Sequence, residues 1–229
     1  MESLGKAAVA EFVATFALIF VGAGAVILSA SGELDLTGVA LAHGLVLAVM
    51  VSVIGHISGG LVNPAVTIAL WSAGRIGTRR GAALIVAQLL GAVVGAVLVR
   101  FVVGADAFDA GAAGAPTLRA DVAVGKGIVL EAILTFFLVF VVFGTAIDDR
   151  GPWNRTAGFT IGLVIAFDIL AFGPLTGAAM NPARWFGPAL VGGLWDDPLV
   201  WIVGPIAGGI LAGVLYAWVF LRGKEPATP

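Results

Sequence analysis

The side chains that could do chemistry in this chain are few, and the most conspicuous are neutral. Two Asn-Pro-Ala triplets, Asn63-Pro64-Ala65 and Asn181-Pro182-Ala183, sit inside the apolar stretches GHISGGLVNPAVTIAL and GAAMNPARWFGPAL. Pro cannot continue a helix, but it suits the first helical turn, where its missing N–H costs nothing. Asn in front of it is a good N-cap. Each triplet therefore predicts a helix start that also presents an amide donor. Arg184 follows the second triplet and adds a fixed positive charge. His43 and His56 are the two histidines, and Glu11, Glu131 and Asp168 are acids embedded in apolar runs. With no Cys, disulfides and thiolate metal sites are excluded.

The elements that must position these groups follow from composition. Of 229 residues, 60% are hydrophobic and 11% charged, and mean hydropathy is +1.08. Soluble domains are about one quarter charged, so an integral membrane protein is expected. The 33 glycines, many inside apolar runs, point to a closely packed all-α bundle rather than a single anchor. Net charge is −2 with no basic run, which argues against nucleic acid as a partner. The start, MESLGKAAVAEFVATF, lacks a cleavage pattern and reads as part of the first span.

Six apolar runs are long enough to cross a bilayer: about 6–29, 38–56, 80–103, 123–146, 157–173 and 198–221. Two shorter apolar segments follow the triplets, at about 64–74 and 182–191. They are too short to span and too apolar for ordinary loops, so re-entrant half-helices are predicted. Residues 104–121 read as an extramembrane connection. Six crossings put Lys6, Arg75, Arg79, Arg80, Arg150, Arg155, Arg222 and Lys224 on one side. The positive-inside rule makes that side cytoplasmic, with both termini there, in a multi-pass protein of the cell membrane.

The two halves match. AEFVATFALIFVG from Ala10 aligns with LEAILTFFLVFVV from Leu130, pairing Glu11 with Glu131 and Thr15 with Thr135. AHGLV at 42–46 aligns with TIGLV at 160–164, and Asn63 with Asn181. With three spans per half, the second half must insert upside down, giving an inverted 3+3 repeat with its site at the midplane. The chain then reads as a single channel domain over 1–229: repeat one to about 103, a connection over 104–122, and repeat two over 123–222. The inversion brings the two half-helices in from opposite faces, with positive dipole ends meeting near the bilayer centre.

The sequence resembles the aquaporins (major intrinsic protein family) over essentially its whole length. The motifs that carry the likeness are EFVATF, HISGGLVNPAVT, NPAR at Asn181–Arg184 and VGPIAGG at 203–209. The resemblance implies the aquaporin fold and a homotetramer in which each subunit, surrounded by lipid, has its own pore. It further implies passive conduction of water and small neutral solutes, without catalysis, metal or cofactor. Two converging positive helix ends and Arg184 would oppose cations, while Asn63 and Asn181 would donate to the oxygen of a passing water. A water held as acceptor relays a proton poorly.

By motif matching, the family's narrowest point corresponds to His43, Ile169, Ala178 and Arg184. Water-only members have an aromatic at the first position and His at the second; glycerol facilitators pair two aromatics with a Gly. The set found here is similar to those of plant vacuolar-membrane aquaporins, which as a class pass water and often ammonia, and archaeal members share the Ile. At the first position, a neutral imidazole could both donate to and accept from a passing molecule. Here Trp185 follows Arg184 where Ser or Asp is usual. His56 is expected to shape the cytoplasmic vestibule and support its loop, and Glu11 and Glu131 to hold the backbone of the re-entrant loops. For Asp168, a loop N–H, His43 and the outer vestibule stay open as surroundings. Glycerol conduction is the runner-up substrate. An inverted-repeat ion channel or transporter would need titratable or ion-coordinating groups where this chain has two amides, and a closed structural junction is the remaining rival.

Overall fold

The structure, a computed structural model, describes residues 2–150 and 156–222. Arg155 and Lys224 of the charge reading lie outside the described residues. Among the described residues, six helices are long and apolar enough to span: α1 (Leu4–Ala30), α2 (Leu36–Ser58), α4 (Thr78–Val103), α6 (Val124–Val142), α7 (Ala157–Thr176) and α9 (Leu199–Phe220). The half-helices are α3 (Pro64–Ser72) and α8 (Pro182–Gly192). Each span is apolar all round, with less than half of its most apolar window buried in the protein. That pattern suits helices whose remaining surface meets lipid.

Helix α1 packs on α4 and α6 on α9, the same arrangement in each repeat, while α2 meets α7 across the repeat interface. The half-helices cross over: α3 lies against α9 and α8 against α4. At the α2–α7 crossing, Gly44 and Gly162 let the backbones touch. A Cβ on Gly44 would lie 2.7 Å from the Gly162 carbonyl oxygen and 3.0 Å from Ala166 Cβ. Since the opposing atom is backbone, it cannot step aside. Gly44→Val is therefore expected to cost about 1–3 kcal/mol through overpacking, read as a lowered midpoint of thermal unfolding in detergent.

Two connections are more structured than the sequence suggested. The 104–121 segment contains α5 (Ala105–Ala110) and a 3₁₀ turn at Ala112–Gly114. Phe108 is fully buried there against Ile27 and Val99, so this connection is partly a lid on the bundle. At the far end of α6 the helix widens into a π turn, Phe143–Ile147, and then stops. The buried Asp148 that follows takes both ends of the Arg150 guanidinium and the Tyr216 hydroxyl, the latter at 3.1 Å. Arg150 also donates to the Phe220 carbonyl at 3.1 Å, tying this turn to the end of α9. The Arg150 hydrogen bonds hold the Asp148 carboxyl down at about 2, below its ordinary 3.8. A depressed carboxylate stabilises above its ordinary range, so this tie is expected to persist until pH falls through about 2.

Candidate functional site

The site is built from two irregular loops, one before each half-helix. Asn63 and Asn181 cap them as their type predicts: the Asn63 carboxamide oxygen accepts from Ala65 N at 2.8 Å, and that of Asn181 from Ala183 N at 2.9 Å. The preceding residues, Val62 and Met180, sit at φ 55° and 52°. A β-branched residue rarely adopts that conformation, so something must hold it. Gly59 (φ 107°) and Gly177 (φ 79°) end the preceding spans in left-handed caps, where no Cβ opposes the turn.

The holding groups are Glu11 and Glu131, both fully buried. Glu11 accepts from Ser58 Oγ at 2.6 Å, Leu61 N at 2.8 Å and Val62 N at 2.6 Å. Glu131 accepts from Thr176 Oγ1 at 2.7 Å, Ala179 N at 3.0 Å and Met180 N at 2.8 Å. The two sets correspond position by position, as an inverted repeat requires. Glu11 has one donor more, Gln88 Nε2 at 2.8 Å. Sequence reading missed Ser58, Thr176 and Gln88; the alignment of Ser58 with Thr176, five residues before each triplet, was the available signal.

The Asn side chains do more than face the space between the loops. Asn63 Nδ2 donates to Met180 O at 2.7 Å, and Asn181 Nδ2 to Val62 O at 3.0 Å. Each amide crosses to the other loop and cross-links the two helix starts, leaving its second N–H available. Both residues line a narrow internal chamber of about 30 Å³. That is room for two or three waters.

Above the chamber opens an outer vestibule of about 380 Å³. His43, Ile169 and Arg184 line both cavities and so form the neck between them. Ala178 lines the chamber just inside. His43 Nδ1 lies 2.9 Å from Val39 O, and Arg184 Nε donates to His43 Nε2 at 3.0 Å. An acceptor at one ring nitrogen and a donor at the other define the Nδ1–H tautomer. This corrects the expectation that His43 would both donate to and accept from a passing molecule, since both nitrogens are already engaged. The imidazole instead positions Arg184. The guanidinium keeps free donors: its buried Nη1 has no partner among the described residues.

Two other expectations change. His56 is exposed and lines, with Arg75 and Arg80, a cavity that shares Leu61 with the chamber, yet no hydrogen bond ties it to the loop among the described residues. Arg80 does that work, donating to Ser58 O at 3.2 Å and Ile57 O at 3.4 Å. Asp168, 2% exposed, borders neither chamber nor vestibule and bonds neither His43 nor a loop N–H; its Oδ2 has no partner among the described residues. Trp185, the unusual residue after Arg184, stacks on Trp201, whose Nε1 donates to Thr176 O at 2.9 Å. The indole pair thus braces the second loop from behind.

Comparison with known proteins agrees with this architecture. A profile described as "Major intrinsic protein" matches residues 1–216. The chain is 44% identical to Aquaporin TIP4-4 of Zea mays, over 96% of this chain and 90% of that one. It is 42% identical to Probable aquaporin TIP2-2 of Oryza sativa subsp. japonica, over 96% and 89%. Among solved structures, the aquaglyceroporin of Plasmodium falciparum superposes with a TM-score of 0.84 at 26% identity, covering 95% of this chain and 97% of that one. An inverted repeat of six spans and two half-helices, with that likeness along nearly its whole length, makes this chain a member of the major intrinsic protein family, a multi-pass membrane channel of the aquaporin type and not an enzyme.

Proposed function

We propose that this channel conducts water and small neutral solutes such as ammonia down their gradients while excluding protons and ions, with His43, Ile169, Ala178 and Arg184 as its filter. The neck carries the reading. On one side Arg184, held by His43, offers N–H donors; on the other, Ile169 and Ala178 are apolar and compete for none of them. A small molecule with a lone pair can accept from Arg184 and slide along the apolar wall. A cation meets the Arg184 charge first and then the positive ends of α3 and α8. At the midplane the remaining N–H groups of Asn63 and Asn181 orient a water as acceptor, which interrupts a proton relay.

Stopped-flow measurements on proteoliposomes test this. Water and ammonia should cross rapidly, glycerol and urea slowly, and no current should accompany them. A current, or the absence of water flux, would overturn the reading; glycerol faster than ammonia would make the channel a polyol facilitator.

The filter assignment has its own check. With no Cys in the chain, wild-type flux should ignore mercurials, whereas Ala178→Cys should be blocked by them. An active, indifferent Ala178→Cys channel would remove Ala178 from the permeation path.

The assembly is a homotetramer with one pore per subunit, a reading supported by a pore enclosed within a single chain and by apolar surface such as Phe101, 82% exposed. The mass of the detergent-solubilised particle checks it. The clustering of Lys6, Arg75, Arg79, Arg80, Arg150 and Arg222 on one side supports cytoplasmic termini in the cell membrane.

A further inference from the structure

The filter residue His43 does not stand alone in the wall of the neck. Behind it, on α1, is Gly22, buried and lining neither cavity. On the same face of α1, at i−4 and i+4, Leu18 lines the chamber and Val26 the outer vestibule. Gly22 thus lies at the level of the neck. A Cβ built there would come 2.5 Å from His43 Nε2 and 2.7 Å from Cδ2.

The other repeat shows what that position holds when no imidazole needs the space. The alignments that pair Glu11 with Glu131 and AHGLV with TIGLV match Gly22 to Val142 and His43 to Ile161. Val142 and Ile161 both reach the chamber. One repeat therefore places two branched aliphatics where the other places a ring and a hydrogen atom.

We infer that Gly22 sets the width of the neck: its missing side chain is a recess that takes the His43 ring out of the lumen. This deepens the proposed filter and rests on that reading. The ring is held by Val39 O and by Arg184 Nε. A methyl group at position 22 would need it to retreat by about 1 Å to reach ordinary contact distance. The recess being filled, the ring moves toward Arg184 and the lumen. In a chamber of about 30 Å³, such a move narrows the path for every permeant.

The experiment compares four variants with wild type in proteoliposomes: Gly22→Ala, Gly24→Ala, His43→Ala and the double variant Gly22→Ala/His43→Ala. Gly24 is on the same helix with no atom within 4 Å of a built Cβ. Gly22→Ala should slow water about tenfold, the scale on which one added carbon is felt in a tight site. Gly24→Ala should match wild type, and the double variant should recover to the flux of His43→Ala. Gly22→Ala at wild-type flux would overturn the inference. So would a double variant as slow as Gly22→Ala, because the loss would then run through helix packing. If Gly22→Ala does not give a folded particle, rescue of folding by His43→Ala supports the recess, and failure of that rescue overturns it. A wild-type channel that passes water but no ammonia would sink the solute range proposed above while leaving these water results to decide Gly22.

Discussion

Glu11→Ala is expected to abolish the folded channel, not merely slow it. Four donors converge on that buried carboxylate: Ser58 Oγ, Leu61 N, Val62 N and Gln88 Nε2. Removing it strands two backbone N–H groups at membrane depth, each costing about 1–3 kcal/mol. It also removes what holds Val62 at its strained φ of 55°, so the loop relaxes away from the native path. The stranded N–H groups together are a large share of a stability of about 5–15 kcal/mol. Glu11→Gln keeps one acceptor oxygen and should fall between. The readouts are the detergent unfolding midpoint and water flux; an Ala variant that keeps both would show that the carboxylate does not hold the loop.

Arg184→Val should have the second largest effect, and of a different kind. The fold should survive, because the loop's anchoring bonds run through Glu131 and Asn181. The neck should not keep its discrimination. Valine removes the fixed charge and also the donor to His43 Nε2, so the imidazole loses one of its two tethers. Water flux should stay within a few-fold of wild type, while urea passage rises about tenfold or more and a proton leak becomes measurable. A variant that still excludes urea and protons would place the barrier elsewhere, with the paired Asn residues as the next groups to substitute.

The two results together separate what holds the pore open from what makes it selective. Glu11 and Glu131 lie fully buried outside the lumen and act on backbone N–H groups. Arg184 and His43 border both chamber and vestibule, where the proposed selectivity would act.

Much of this was determined by the sequence alone, because the rules involved need only near neighbours. Hydropathy over a window marks a span, and Asn followed by Pro marks a capped helix start; both caps formed as read. Repetition extended the reach, since three spans per half dictates the inversion and makes Glu11 and Glu131 equivalent. Tertiary structure alone decided which distant groups meet. The Asn63 amide finds a carbonyl 117 residues away, and Arg184 finds His43 across 141. No local pattern encodes such pairs, because they depend on how helices cross and on fractions of an ångström in their approach. Asp168 and His56 show the same limit: their residue types suggested partners that packing did not supply. Gly22 shows it most plainly. In sequence it is one of 33 glycines, and only the ring lying 2.5 Å from its missing Cβ distinguishes it.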